Sequence, residues 1–397
     1  MNLFRFTQVL FCSLLLALFA SAVYAADDSS VTASQAALQT APPKFLYSTD
    51  YTAGKVHGYL VNPSTGVLTP TGQNPPWAHF GPTKVVSDKG GYRLYVINWG
   101  SKDIDAYFIY RNNGYIYQVP GSPFAIGQNP TGVAVHPSGK FVYVTTINGA
   151  VYAFAVESNG SLKPVAGSPF TTQNQPAALA IDPTGHYLYT NDNSNKIDAF
   201  SINETDGALT PVPGSPFAQT SSACDDGGID IAVDPSGKFL ILPQYCTGVE
   251  VFRIDSANGS IAQVAGSPFP IPADQGPEAA QSVAIDPLDR WVFIDAQSCN
   301  SGCGNLTETY ALNKTTGALS FLEYGSGGCG NYNRTDPSGK FLYSIGPEDN
   351  CSFGVPTTIL GLAINQSNGS LKDVPGSPFP FTTNSAAPGQ VGLVITP

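Results

Sequence analysis

Short apolar runs separated by turn residues alternate along the chain from residue 44 onward. In the unit 130–170, apolar residues fill 132–135, and a tight turn follows. In this turn Pro137 fixes the backbone angle φ at one position, and Gly139 accommodates the backbone conformation of the last. Strand-like runs then occupy 140–145, 150–156 and 162–165, with an Asn-Gly hairpin turn before the last run. The pattern predicts four antiparallel strands per unit, ordered from an innermost to an outermost strand.

A phrase of the type Asp-Pro-Ser-Gly-Lys-Phe-Leu-Tyr, a turn followed by a strand, recurs six times. Its copies begin at Asp88, His136, Asp182, Asp234, Asp286 and Asp336, so the repeat is 46 to 52 residues long. A period of this length with only strand-like content is typical of β-propeller blades, because β-solenoid repeats are shorter and α-solenoid repeats need helices. We therefore expect an all-β fold.

The two ends of the repeat region are complementary. Residues 391–397 have the pattern of an inner strand running into its turn, and residues 44–47 have the pattern of the second strand that follows such a turn. The C-terminal strand should therefore complete the first blade and leave no open edge in the ring. With the six internal units, this predicts a seven-bladed β-propeller of four-stranded antiparallel blades, a single domain over 44–397.

The N-terminal segment has the pattern of a targeting signal. Arg5 precedes an apolar run over 9–22, and Val23-Tyr24-Ala25 is a small-residue cleavage site, so 1–25 is predicted to be a signal peptide. The run is too short for a membrane span. Residues 26–43 are polar and rich in Ala and Ser, which predicts a disordered leader. We expect a periplasmic or secreted protein.

Composition limits the partners. The chain has 18 basic and 29 acidic side chains and a net charge of −11, which disfavours nucleic acid because that partner requires basic patches. We expect a small-molecule or glycan ligand, no nucleic acid, no membrane span and a monomeric protein.

Cysteine usage supports export. The signal peptide holds Cys12, and the six remaining cysteines suit disulfides in an exported chain. Cys224 with Cys246 and Cys329 with Cys351 are predicted pairs because they share loop types and a separation of 22 residues, which leaves Cys299 for Cys303. Metal binding is the alternative, but a Cys-x-x-x-Cys motif with no nearby His is weak for zinc.

These bridges would restrain long loops on one rim, near 225–230, 297–308 and 347–358. Irregular loops held in shape around an axial channel favour a ligand site at the channel mouth. The alternative is that an exported protein simply protects its longest loops against proteolysis.

Candidate ligand-binding residues come from the last full blade and the first internal one. Two residues before the turn, most blades carry alanine (Ala134, Ala180, Ala232 and Ala284), but the last carries Arg334. A charge there needs a partner or the channel. We therefore predict a site of Arg334 with Tyr332, Asn333 and Lys84. The alternative is an arginine that ties loops together.

Few residues of the chain are candidates for catalysis. The chain has only four histidines, and His79 is the one predicted on the loop-bearing rim, so His79 and Arg334 are the candidate catalytic residues. Rim carboxylates are more numerous, and the group over 225–230 is the best local candidate for Ca²⁺. We expect no cofactor, with Ca²⁺ as the alternative.

The turn phrase, together with the Thr-Gly-x-Leu hairpins at 65–68 and 316–319, resembles the lactonase-type seven-bladed propellers. That family includes the 6-phosphogluconolactonase and carboxymuconate cyclase group and is related to propellers with Tyr-Val-Thr-Asn-type repeats. The resemblance implies a lactone hydrolase with Arg and His at the starts of inner strands, in Gly-Pro-Arg-His-like phrases. Here Gly81-Pro82-Thr83-Lys84 has Thr83 and Lys84 in those places. Together with the acidic surface, this favours a neutral lactone over an anionic phosphosugar.

Three functions remain open at the level of sequence. The chain could bind a carbohydrate or neutral lactone at the channel mouth, hydrolyse such a lactone, or act as a non-catalytic envelope scaffold for protein or polysaccharide. The concave channel and the family resemblance favour the first two. The missing Arg and His and the absence of a nucleophile motif favour the third.

Overall fold

The computed structural model describes residues 44–192, 194–220, 230–244, 247–271, 278–298, 304–325, 332–346, 358–380 and 392–397. Within these ranges the regular structure is entirely β-strand, and no helix has the length and apolarity to span a bilayer. The predicted signal peptide and leader, all six predicted disulfide cysteines and residues 225–229 of the Ca²⁺ candidate lie outside the described residues.

The described strands form seven antiparallel sheets, each ordered from an inner to an outer strand. From blade 1 to blade 7, the inner strands are β32 (Leu393–Thr396), β4 (Pro82–Ser87), β9 (Pro130–Val135), β14 (Pro176–Ile181), β19 (Ala232–Val233), β23 (Glu278–Ile285) and β27 (Tyr332–Thr335). The second strands are β1 (Phe45–Asp50), β5 (Arg93–Asn98), β10 (Phe141–Thr146), β15 (Tyr187–Asp192), β20 (Phe239–Gln244), β24 (Trp291–Ser298) and β28 (Phe341–Gly346).

The third strands are β2 (Lys55–Val61), β6 (Asp103–Tyr110), β11 (Ala150–Val156), β16 (Lys196–Ile202), β21 (Gly248–Ile254), β25 (Gly304–Leu312) and β29 (Thr358–Ile364). The outer strands are β3 (Leu68–Pro70), β7 (Tyr115–Gln118), β12 (Leu162–Pro164), β17 (Leu209–Pro211), β22 (Ile261–Gln263), β26 (Leu319–Tyr324) and β30 (Leu371–Asp373). Four short strands, β8 (Phe124–Ala125), β13 (Phe170–Thr171), β18 (Phe217–Ala218) and β31 (Phe379–Pro380), pair with the third strand of their own blade.

The ring closes where the two ends of the repeat region meet. Strand β1 pairs antiparallel with β32, with Leu46 opposite Ile395 and Phe45 opposite Thr396. Each inner strand contacts the inner strand of the next blade, and β27 of blade 7 contacts β32 of blade 1. The seven-bladed fold and its completion by the C-terminal strand, both predicted from the repeat, are therefore confirmed.

The repeated phrases interlock neighbouring blades. The hairpin glycine between the third and outer strands has a positive φ and lies against an aromatic ring of the preceding blade. A Cβ added at Gly207 of blade 4, for example, would stand 2.5 Å from the ring of Phe141 in blade 3. In six of the seven blades this ring belongs to the aromatic residue of the turn phrase, which explains why that residue and the hairpin glycine both recur; in blade 3, Gly160 lies instead against Phe108 of the third strand of blade 2.

The Gly-Ser-Pro-Phe phrase joins the outer part of a blade to its third strand. In blade 4, the Ser215 hydroxyl accepts a hydrogen bond from Ala199 N at 2.9 Å, and Phe217 then pairs with Ile197. The same bond recurs in blades 2, 3, 5 and 7, and each of these Ser-Pro bonds is cis. The phrase therefore covers the edge of the third strand that the short outer strand leaves open.

Candidate functional site

The inner strands present two rows of side chains on the same face of each blade, because residues two apart in a strand share a face. Counted back from the turn residue, the row four residues earlier is Gly392, Lys84, Gly132, Ala178, Asp230, Ser282 and Tyr332. The row two residues earlier is Val394, Val86, Ala134, Ala180, Ala232, Ala284 and Arg334. Most of these positions are small or aliphatic. Three charged residues and one tyrosine stand out.

These four residues, Lys84, Asp230, Tyr332 and Arg334, lie close together and form what we call the central cluster. Arg334 Nη1 of blade 7 lies 3.4 Å from Asp230 Oδ2 of blade 5. Lys84 Nζ of blade 2 lies 3.4 Å from the carbonyl oxygen of Ala177 in blade 4. Each of these contacts passes over an intervening blade, so each is made across the middle of the ring rather than between neighbours.

Arg334 is held by its own strand and by Asp230. Its guanidinium carbon lies 3.8 Å from the centroid of the Tyr332 ring, Nη2 donates to the Tyr332 hydroxyl, and Nη1 donates to the Asn333 carbonyl at 2.7 Å. Burial lowers the pKa of Arg334. Tyr332 and Asp230 together raise this pKa by more than burial lowers it, so the net shift is upward. Burial also raises the pKa of Tyr332 to about 12. At neutral pH the arginine is therefore charged and the tyrosine is protonated.

Lys84 extends past blade 3, whose residue in the same row is Gly132. Its pKa is lowered, first by burial and also by Arg334, while the carboxylate of Asp230 opposes the shift. Lys84 therefore lies in the electrostatic field of both Asp230 and Arg334. A Cβ added at Gly132 would stand 2.7 Å from Leu179 Cδ2 of blade 4, so the glycine permits close packing of blades 3 and 4.

Asp230 is the acidic member of the cluster and is largely buried. Its Oδ1 accepts from Ile231 N at 3.0 Å and its Oδ2 accepts from Val283 N at 3.2 Å, in addition to Arg334. The sequence places Asp230 in the Ca²⁺ candidate group, but its described partners are an arginine and backbone amides. Its place four residues before a turn aspartate, matching Lys84 and Tyr332, is the signal that could have assigned it to the central cluster.

Asn333, predicted with this group, lies on the other face of β27. It is fully buried between blades 6 and 7, where its backbone N donates to Ser282 Oγ at 2.9 Å. Asp295 lies beside it, within 3.5 Å of hydroxyl oxygens on Ser282, Thr307 and Ser344. Burial raises the pKa of Asp295 to about 8, although these hydroxyls and Asn333 favour its ionised form. The structure thus places Asn333 in a buried contact between blades.

His79, the candidate base, lies in the loop that leads into β4. Its Nδ1 is 3.3 Å from both carboxylate oxygens of the buried Asp105, and its side chain is 42% exposed. The backbone contact His79 N to Asp105, at 3.0 Å, has counterparts in Gln173 N to Asp198 and Thr220 N to Glu250. Asp105 therefore belongs to a contact that recurs in blades 2, 4 and 5, in which a third-strand carboxylate accepts a hydrogen bond from a backbone N of the loop before the inner strand. Among the described residues, His79 has no hydrogen bond or ion pair to Lys84 or Arg334.

The surroundings of His79 are aromatic and acidic. Trp77 and Phe80 are 71% and 66% exposed, and Lys55 Nζ lies 5.3 Å from the Trp77 ring centroid. His79, Asp103 and Asp105 are also the one group in the described part of the chain whose ligand atoms are close enough to hold a metal ion. Asn98 Nδ2 already donates to both carboxylates, at 2.7 and 2.8 Å. The two acids therefore have hydrogen-bonded partners without a cation.

Comparison with known proteins matches part of this chain to a lactonase family model and most of it to solved structures. A sequence model of the lactonase family of seven-bladed β-propellers matches residues 35–224. A Bacteroides fragilis protein with a provisional 6-phosphogluconolactonase assignment is 17% identical and has a TM-score of 0.69 over 90% of this chain and 98% of its own. The periplasmic gluconolactonase of Pseudomonas aeruginosa is 17% identical, with a TM-score of 0.67 over 89% and 99%.

At these identities the two structures establish the fold alone. No curated protein matches the chain. The family model, which matches on the sequence itself, confirms the resemblance to the lactonase-type propellers.

Proposed function

We propose that this chain, a seven-bladed propeller of the lactonase type, is an exported protein that binds a sugar lactone or a related carbohydrate at the central cluster. The observation that carries the proposal is the convergence of Lys84, Asp230, Tyr332 and Arg334 across the ring, in two rows that are otherwise small or aliphatic. Grouped polar side chains within a concave, mostly apolar lining are typical of small-molecule sites.

The four side chains suit a ligand rich in oxygen. Lys84 and Arg334 can donate to a lactone carbonyl or to sugar hydroxyls, Asp230 can accept from a hydroxyl, and Tyr332 can do either. The two cations can also stabilise the negative charge that develops on a lactone carbonyl when water attacks it. Names of similar structures, including a periplasmic gluconolactonase, support a lactone as the ligand and export as the destination.

Hydrolysis would add water to the lactone carbonyl carbon and break the ring carbon–oxygen bond. The attacking water must lose a proton, and we propose His79 or a rim carboxylate as the acceptor. His79 suits this role because Asp105 lies against its Nδ1, which directs Nε2 away from the buried carboxylate. Asp105 would then be a positioning residue for the imidazole.

The test is turnover of a panel of neutral aldonolactones by purified protein, with Arg334→Ala and His79→Ala beside it. We expect at least a hundredfold loss of kcat/KM, on the order of one lost electrostatic or acid–base contribution. Lys140→Ala, at an exposed turn position away from the cluster, is the control. Wild-type turnover that both site variants retain would overturn the assignment of the site.

A non-catalytic scaffold is the second candidate, and the exposed pair of Trp77 and Phe80 favours it. Aromatic rings on a rim can stack against sugar rings of a polysaccharide. No turnover in the same panel, together with saturable glycan binding that Trp77→Ala abolishes, would support the scaffold over the lactonase.

A further inference from the structure

We infer that the ligand of the central cluster carries a single negative charge, a carboxylate, so that the site holds the opened aldonate more tightly than the neutral lactone. This inference rests on the proposed function for the place of the ligand. Beyond that function, it names the charge of the bound ligand and identifies Asp230 as the residue that limits this charge.

The local charge balance of the central cluster favours an anionic ligand. Across the two inner rows, the charged residues are Lys84, Arg334 and Asp230, and every other position is neutral. With Lys84 protonated, two cations against one carboxylate leave one positive charge in excess. Burial lowers the pKa of Lys84, and Asp230 favours its charged form. This local sign is opposite to the net charge of −11 for the whole chain. Because exposed charges are screened within roughly 8 Å at physiological ionic strength, the near cations dominate for a ligand at the centre.

The cationic side chains of the central cluster have hydrogen-bond donors to spare. In the described part of the chain, Lys84 Nζ has one hydrogen bond, a long one of 3.4 Å to Ala177 O, although an ammonium has three donors. The Arg334–Asp230 contact is also 3.4 Å, whereas charge-assisted bonds are commonly about 2.7–2.9 Å. Both cations therefore retain capacity for an anionic acceptor.

Asp230 limits the negative charge that the site can accept. Two backbone amides fix its carboxylate, so it is a permanent part of the site. Its negative charge offsets one of the two cations. The remaining positive charge can be matched by one negative charge on the ligand. A dianionic phosphate ester would exceed this balance, and a neutral sugar would leave it unmatched.

The chemistry of the proposed reaction supplies such a ligand. Water adds its oxygen to the lactone carbonyl carbon, the ring carbon–oxygen bond breaks, the ring oxygen gains a proton as a hydroxyl, and the new acid releases a proton to become a carboxylate. The carboxylate stands on the carbon that carried the lactone carbonyl. The donors that polarise the carbonyl are therefore placed to hold the product.

The experiment is isothermal titration of the full-length protein with sodium D-gluconate and with sorbitol, which replaces the carboxylate by a hydroxymethyl group. We expect gluconate to bind at least about tenfold more tightly, the equivalent of one modest charge interaction, and its affinity alone to fall as salt is raised. 6-Phosphogluconate should bind more weakly than gluconate.

Variants assign the effect to residues. Lys84→Met and Arg334→Met should each weaken gluconate about tenfold, Asp230→Asn should strengthen it, and Lys140→Met is the control for a distant lysine. Should Asp230→Asn fail to fold, the comparison of gluconate with sorbitol on the unaltered protein still decides the matter. Equal binding of gluconate and sorbitol, or weaker gluconate binding by folded Asp230→Asn, would overturn the inference.

Failure of the inference differs from failure of the proposed function. Lactone turnover that depends on Arg334, without any preference for gluconate over sorbitol, leaves the proposed function standing and removes the inference. No turnover and no binding of gluconate, sorbitol or lactone removes both.

Discussion

Buried tyrosine hydroxyls join neighbouring blades at the level of single residues. Tyr47, Tyr143, Tyr189 and Tyr343 stand at equivalent places in their second strands, and each donates to the carbonyl oxygen of the hairpin glycine in the next blade, at 2.7 to 3.0 Å. Tyr95 occupies the same place in blade 2, but its buried hydroxyl has no hydrogen-bond partner among the described residues. Identical side chains therefore differ in what their hydroxyl contributes.

This difference gives a matched pair of variants. Tyr143→Phe should lower the free energy of unfolding by about 1–2 kcal/mol, because it removes a hydrogen bond and leaves a buried carbonyl unpaired. Tyr95→Phe should leave the free energy of unfolding unchanged or raise it slightly, because an unpaired buried hydroxyl is lost. Urea unfolding of both variants measures the difference. Equal losses would contradict the assigned hydrogen bond.

Asp295 predicts a dependence of stability on pH. Its carboxyl has a pKa raised from 3.8 to about 8 by burial, so the folded protein holds a proton that the unfolded chain releases above about pH 4. Stability from this group is therefore complete at low pH and is lost progressively between about pH 4 and pH 8. Asp295→Asn cannot ionise and should remove this loss.

The measurement is the free energy of unfolding of wild type and Asp295→Asn across that range. The difference between them should shift in favour of the variant as pH rises, by up to several kcal/mol, and level off above about pH 8. Asp373→Asn, at an exposed outer-strand position, is the control. A difference that stays constant with pH would show that Asp295 ionises equally in both states.

At the scale of elements, two separate segments pair with the outer edge of the third strand of a blade. The outer strand covers the C-terminal half of the third strand, and the Phe after the cis Ser-Pro bond covers its start, as in the pairing of Phe124 with Ile104 and of Tyr115 with Tyr110. Covering the outer edge in this way leaves less unpaired backbone available for pairing with another chain. The Gly-Ser-Pro-Phe phrase is therefore part of the blade rather than a connector.

At the scale of the whole molecule, the ring depends on the pairing of β32 with β1. Without β32 the inner edge of blade 1 is unpaired, and the buried Leu393 and Ile395 no longer pack against Leu46. Closure also lets β27 of blade 7 contact β32, so both end blades depend on one strand.

Deleting residues 392–397 should therefore lower the thermal midpoint and promote aggregation through the open edge. The expected change is large, because several buried apolar side chains lose their contacts, at about 1.5–3 kcal/mol each. Thermal unfolding with light scattering measures both effects. Deleting the predicted leader 26–43 is the control and should change neither. A truncated protein as stable as the full-length protein would contradict closure by β32.

The sequence alone was enough for the blade number, the strand order within a blade and the closure by the C-terminal strand. These follow from local chemistry that repeats, namely turn aspartates, hairpin glycines and the aromatic residue that each glycine contacts. The sequence also singled out Arg334, because it departs from the alanines usual at its place in the repeat, and it grouped Lys84, Tyr332 and Asn333 with it. The disulfide pairs and the signal peptide remain predictions.

Only the tertiary structure decided which of these residues meet. Asp230 and Arg334 are 104 residues apart and two blades apart, and their contact exists because the ring brings inner strands around one axis. In the closed ring, Asn333 is buried between blades 6 and 7, on the face of its strand opposite Arg334. His79 lies against Asp105 of the third strand of blade 2. A repeat pattern encodes contacts between adjacent blades, whereas contacts across the axis depend on how the closed ring curves and on the reach of individual side chains.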